Sequence, residues 1–228
     1  MLQHTTTTRD AMLQAYDLHK SYGRGSSAVQ VLTGLDLRVE EGEFVAIMGP
    51  SGCGKSTLLH LLGLMTAPDK GEIHLENSRV DHCPRTRTAV RRRRIGIILQ
   101  RFNLLPELSA MDNVEISLQV RGLRKTGLVD ELFEKLGVAH LKGRKPSRMS
   151  IGEQQRIAVV RAMAHQPRLL LADEPTGSLD SKNTQNLLEM FARLNREQRQ
   201  TIIMITHSAD AAAIAGRTVR MKDGRLLD

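Results

Sequence analysis

Tryptophan is missing from this chain of 228 residues, and Phe and Tyr together bring the aromatic content to only 3%. A core must therefore be packed from Leu, Ile, Val, Met and Ala. Cysteine is nearly absent as well: Cys53 and Cys83 are the only two, too few for a disulfide framework and suited to a reducing compartment. No apolar run approaches the roughly 20 residues that cross a bilayer; stretches such as 44–48 and 169–172 are far too short. The opening MLQHTTTTRD lacks the apolar stretch of a secretory signal, and 1–12 is read as a flexible polar tail. A cytoplasmic protein is expected, one that reaches a membrane only through partners.

What remains is the composition of a folded chain, 40% apolar and 25% charged. The length suits one domain, 13–228, with room for an insertion. The formal charge is +8, and six arginines fall between Arg85 and Arg94. Such a run suits nucleic acid, or else a solvated surface near anionic lipid or an acidic partner. No interleaved aromatics offer bases a platform, so the second reading is preferred and no specific nucleic-acid partner is expected.

Apolar patterning gives a coarse map. Residues 35–39 alternate, Glu41-Gly42 is a turn, and 44–48 is a buried strand that runs into GPSGCGKST and the apolar helix LLHLLGL. Further strands are expected at 72–75, 95–99, 169–172, 202–205 and 218–221, with helices at 181–197 and 208–215. The stretch 102–164 reads as mainly helical, and Asp223-Gly224 as a hairpin turn. Strands alternating with helices around a helical block predict an α/β fold, a parallel core sheet with a helical insertion.

Two motifs carry chemistry. Gly49-Pro50-Ser51-Gly52-Cys53-Gly54-Lys55-Ser56-Thr57 matches the phosphate-binding loop, and it lies between a strand and a helix start as that loop requires. Glycines let backbone N–H groups curl around phosphate, and the helix N-terminus adds positive charge. Lys55 is expected on the β- and γ-phosphates of ATP, and the Ser56 hydroxyl on Mg²⁺. The second motif is Leu169-Leu-Leu-Ala-Asp173-Glu174, which brings two carboxylates out at a strand's C-terminal end, where α/β sheets bind ligands. Asp173 suits the Mg²⁺ shell through water, and Glu174 a general base that polarises the attacking water.

Between them stands Met149-Ser150-Ile151-Gly152-Glu153-Gln154-Gln155-Arg156, which resembles the signature of ATP-binding cassette ATPases. The resemblance runs from Tyr22 to about Gly224. It implies a P-loop NTPase core with an N-terminal antiparallel β subdomain and a helical signature subdomain near 102–164. By that likeness Tyr22 stacks on adenine, Gln100 senses Mg²⁺ and the γ-phosphate, and His207 contacts the γ-phosphate. Ser178-Leu179-Asp180 meets the opposite subunit, and Ser150, Ile151, Gly152 and Glu153 face the nucleotide of that subunit. The family implies a homodimer joined through ATP, driving integral membrane permease subunits from the cytoplasmic face. GLMTAPDKGEI and IGIILQRFNLLPELSAMDNV are similar to the lipoprotein-releasing, macrolide-export and peptide-resistance group. A non-transporting regulator of the cell-division kind shares all these motifs and stays open. The segment 101–109, with Phe102, Leu104, Leu105 and Pro106, is read as the dock for a membrane partner's cytoplasmic helix or as internal packing. Cys53 is read as a filler whose alkylation would impair ATP binding.

Two positions depart from the family pattern, Leu-Ser-Gly-Gly-Gln or its Glu variant. Met149 for Leu conserves volume, but Ile151 for Gly is expected to restrict the backbone and crowd the γ-phosphate, weakening closure.

Overall fold

In the computed structural model, which describes residues 10–23, 25–177 and 179–227, two sheets divide the chain. The first is antiparallel, in the order β2 (Val29–Glu40), β1 (Ala11–Tyr22), β4 (Lys70–Leu75), β5 (Ser78–Arg79). The second runs β10 (Arg225–Leu227), β9 (Arg217–Lys222), β3 (Phe44–Met48), β8 (Thr201–Thr206), β7 (Leu169–Asp173), β6 (Ile95–Ile98), parallel throughout except for β10.

Alternation along the central strands fills two cores. Phe44, Ala46, Leu170, Ala172, Ile202 and Met204 face the helices α3 (Ala110–Val120), α4 (Gly127–Lys135), α5 (Ile151–Met163) and α6 (Ser181–Gln198). Val45, Ile47, Leu169, Leu171, Ile203 and Ile205 face α1 (Lys55–Leu62) and the antiparallel sheet. A sheet covered on both faces needs continuous apolar strands, which is why these segments are apolar runs in the sequence. Within the expected helical block, 102–109 is irregular and the helices begin at Ala110.

Two sequence readings are corrected, and the arginine run, to which no element was assigned, gains one. Strand β1 starts at Ala11, and Ala11 and Met12 are buried, so the last two residues assigned to a tail belong to the domain. The arginine run is a helix, α2 (Pro84–Arg94), in which no residue is buried. The helix expected at 208–215 shrinks to one turn, α7 (Ala209–Ala212).

At the end of α5, His165 is buried with Nε2 3.2 Å from the Ile95 carbonyl. Burial, together with the nearby Arg121, pushes its imidazole down from 6.5 to about 4. Between those values the unfolded chain binds the proton and the folded chain does not, so stability falls as pH drops through that window. The contribution lost across the window is about 3 kcal/mol. Unfolding in urea at pH 7 and pH 4.5 should show this slope in the native chain, and a flatter one in His165→Gln.

Candidate functional site

The phosphate loop joins β3 to α1 and turns on Gly54, whose φ of 104° lies in the left-handed region glycine tolerates. Lys55 folds back on this loop: its ammonium donates to the carbonyls of Gly49 (2.8 Å) and Pro50 (2.9 Å), leaving one donor. Pro50, Ser51, Gly52 and Ser56 are exposed, so the loop opens to solvent. A brace comes from the far end of the chain. The Gly224 N–H, in the β9–β10 turn, donates to the Cys53 carbonyl at 3.1 Å. Cys53 is 6% exposed, so an alkylating reagent reaches it only when the loop opens, which tempers the sensitivity expected of it.

Strand β7 delivers Asp173 and Glu174 to the same sheet edge. Burial foremost, and then the charge of Glu174, raises the Asp173 carboxyl above its usual range, with His60, Ser56 and Lys55 pulling against them. Its Oδ1 is buried without a hydrogen-bond partner. Glu174 takes the left-handed conformation, φ 45°, and its N–H donates to the Ile205 carbonyl at 2.9 Å, which ties it to β8. His207 follows directly on that strand, and its Nδ1 lies 2.6 Å from Glu174 Oε2. The carboxylate is 15% exposed and the imidazole 70%, so a half-sheltered acid is held by an open ring. The left-handed backbone thus falls at an acid anchored on two strands. Gln100, after β6, is exposed and reaches the same edge: a methyl group built on Gly177 would lie 3.5 Å from its Nε2.

The signature segment stands apart from this cluster. Ser150 caps α5: the Glu153 N–H donates to Ser150 Oγ (3.3 Å) and the Ser150 N–H to Glu153 Oε2 (2.7 Å). The Ser150 N–H foremost, and then its hydroxyl, hold the Glu153 carboxyl below its usual range. Glu153 thus serves its own helix, a capping box the sequence reading passed over. Gly152 is buried against α6, where a Cβ would fall 2.4 Å from Asn183 Oδ1. Asn183 is in turn held by Asp180, which accepts from its N–H (2.8 Å) and its Nδ2 (2.9 Å). Of the expected dimer loop, Ser178 lies outside the described residues, Leu179 packs partly on the core, and Asp180 caps α6. Tyr22, at the tip of β1, is 46% exposed, with Lys20 Nζ 5.7 Å from its ring centre.

Ile151 occupies the first helical position of α5 and is 52% exposed. A helical backbone accommodates isoleucine, so the restriction expected there is absent; only the bulk beside Ser150 remains. Ile151→Gly should raise ATP hydrolysis and ATP-driven association several-fold, as read by phosphate release and light scattering; unchanged or lower values would refute the crowding argument.

Two contacts invisible in the sequence tie the parts together. Arg161, near the end of α5, donates to the carbonyls of Asn103 (2.6 Å) and Phe102 (2.5 Å), fastening the loop after Gln100 to the signature helix. Asn113 ties the same loop to α3: its Nδ2 donates to Leu105 O and its Oδ1 accepts from the Leu105 N–H.

Comparison with known proteins agrees with this arrangement. Residues 32–177 match the ABC transporter family. The lipoprotein-releasing system ATP-binding protein LolD of Geobacter metallireducens is 40% identical over 221 residues, 95% of this chain and 98% of that one. The macrolide export ATP-binding/permease protein MacB of Syntrophobacter fumaroxidans is 41% identical over 93% of this chain, which spans only 31% of that longer protein. An ATP-binding cassette solved as a post-hydrolysis dimer with ADP and Pi superposes with a TM-score of 0.86 at 35% identity, covering 95% of this chain and 97% of that one. With a phosphate loop, two strand-end carboxylates and a capped signature helix on a cassette fold, the chain belongs to the ABC transporter family as an ATP-binding, ATP-hydrolysing subunit.

Proposed function

We propose that two copies of the chain close head to tail around ATP, each setting Lys55, Glu174 and His207 against the partner subunit's Ser150. The observation that carries this reading is a separation. Lys55, Asp173, Glu174 and His207 share one sheet edge that opens to solvent, whereas the exposed N-terminus of α5 makes no hydrogen bond to any of them among the described residues. Each half offers what the other lacks: a phosphate cradle, and a helix end suited to an anion.

The metal has a fitting place. Asp173 Oδ1 is a buried oxygen without a partner, on a carboxyl that burial and then the neighbouring charge of Glu174 raise above its usual range. Among the described residues no three His, Cys, Asp or Glu side chains converge, so Mg²⁺ would be held by Asp173, Ser56 and Gln100 with water and phosphate oxygens. Bound there, the ion would neutralise charge on the phosphates. Glu174 takes a proton from water as its oxygen attacks the γ-phosphorus, the bond to ADP breaks, and phosphate leaves. His207 positions that carboxylate. Lys55 spends its remaining donor on phosphate oxygen, N–H groups of the Gly49–Thr57 loop cradle the rest, and Tyr22 stacks on adenine.

Among the described residues no helix is long and apolar enough to cross a membrane. The relatives are parts of lipoprotein-releasing and macrolide-export systems by name, so the subunit is read as peripheral on a cytoplasmic face, driving permease subunits in export or lipoprotein release. The dock is 101–109, where Leu104 packs on the core and Leu105 is 45% exposed, which divides the two roles the sequence left open. Sedimentation of Glu174→Gln with Mg-ATP tests the dimer: a shift to twice the monomer mass, reversed by ADP, is expected, and a monomer under both nucleotides overturns the reading.

A further inference from the structure

The six arginines of α2 divide by side. Arg87 Nε donates to the His82 carbonyl at 3.1 Å, Arg91 donates to the Leu64 carbonyl, and Arg94 Nε lies 3.3 Å from Glu76 Oε2. Val90 packs on the core beside them, so this side holds the helix to its own domain. Arg85, Arg92 and Arg93 are exposed, and among the described residues none of them is hydrogen-bonded or within ion-pair distance of a carboxylate. At 3.6 residues per turn these three fall, with exposed Ala89 among them, inside an outward arc of about 100° and about 12 Å long.

Helix stability does not account for the arc. Arg92 and Arg93 suit the negative end of the helix dipole, but Arg85 stands in the first turn, where the dipole disfavours a cation. No acidic residue in that turn offsets it. The chemistry of the arc points instead to a flat array of phosphates. Every cation in 84–94 is arginine and none is lysine, and the guanidinium fork matches phosphate oxygens in pairs. Ala89 is the one apolar side chain on the arc, too small to anchor a partner helix, and α2 has no aromatic residue to stack a base. The position agrees: Thr88, Arg91 and Arg92 line the same cleft as Asn103 and Leu105, so α2 stands beside the 101–109 dock.

We infer that Arg85, Arg92 and Arg93 rest on the anionic phospholipid headgroups of the membrane surface, so that the chain touches lipid directly as well as through permease subunits. That the arc faces the membrane rests on the docking reading above; the lipid contact itself needs no permease and is measured without one. With nothing to insert, the contact is purely electrostatic, and it orients the subunit rather than anchoring it.

The test is flotation of the full chain with vesicles of phosphatidylcholine alone or mixed with phosphatidylglycerol. At about fivefold per arginine, the mixed vesicles should bind about a hundredfold more tightly, and about 0.5 M salt should release the chain. Changing Arg85, Arg92 and Arg93 together to Gln should erase the difference, while changing all three to Lys should keep most of it. Changing Lys182, Arg193 and Arg196 of α6 to Gln removes the same charge elsewhere and should leave binding intact. Circular dichroism and basal ATP hydrolysis, unchanged in all three variants, show that each folds. Equal binding to both vesicles, or equal loss in the α6 variant, would overturn the inference and leave the docking reading standing. Capture of single-stranded DNA or polyglutamate without vesicles, lost in the α2 Gln variant, would assign the arc to nucleic acid or to an acidic protein and overturn it as well.

Discussion

Glu174→Gln is expected to lower steady-state ATP turnover by about 10²–10⁴-fold, the range a general base supplies, while ATP binding changes by no more than a few-fold. The amide keeps the size of the carboxylate and the left-handed backbone at φ 45°, but it accepts no proton from the attacking water. Because Glu174 Oε2 sits 2.6 Å from His207 Nδ1, His207→Ala should also slow turnover, by less, since the acid remains and only its positioning is lost. Phosphate release and fluorescent-nucleotide titration separate the two effects. A Glu174→Gln rate within threefold of the native rate would remove Glu174 from the chemistry.

Ser150→Arg is the second large effect. Loss of the cap, whose hydroxyl accepts from the Glu153 N–H at 3.3 Å, costs the helix about 1 kcal/mol. That alone would leave a folded chain. The added bulk lands at the exposed helix end that the composite site sets against phosphate, so hydrolysis should fall at least about 10²-fold, the scale of losing one transition-state donor. ATP binding to the isolated chain should persist, because Lys55 and the loop are untouched. Loss of nucleotide binding together with turnover would place Ser150 in a structural role.

What the sequence reveals and conceals follows from how each element is stabilised. Strands β3, β7 and β8 are buried on both faces, so their apolar runs mark them with little ambiguity. The phosphate loop is legible because its parts are contiguous. Strand β1 escapes notice because the bulge at Asp17, φ 48°, shifts its buried positions from Leu13 and Ala15 to Leu18 and breaks the period of two. Helix α2 hides for the opposite reason: with no buried residue it shows no apolar period, only charge. The supports of the site are hidden by distance in the chain. The Gly224 N–H bonded to Cys53, Arg161 gripping Phe102 and Asn103, and Asn183 laid on Gly152 join segments that only the fold brings together. Ile151 shows the limit of motif reading, since a family glycine implied a special backbone where the chain has an ordinary helix start.

Mixing two inactive variants probes the division of each site between chains most directly. Lys55→Ala disables the phosphate loop and keeps the signature; Ser150→Arg does the reverse. If sites are shared, an equal mixture forms half mixed dimers, each with one intact site of two, and recovers about a quarter of native turnover by that symmetry. A mixture no more active than the sum of its separate, dead components would contradict the shared site.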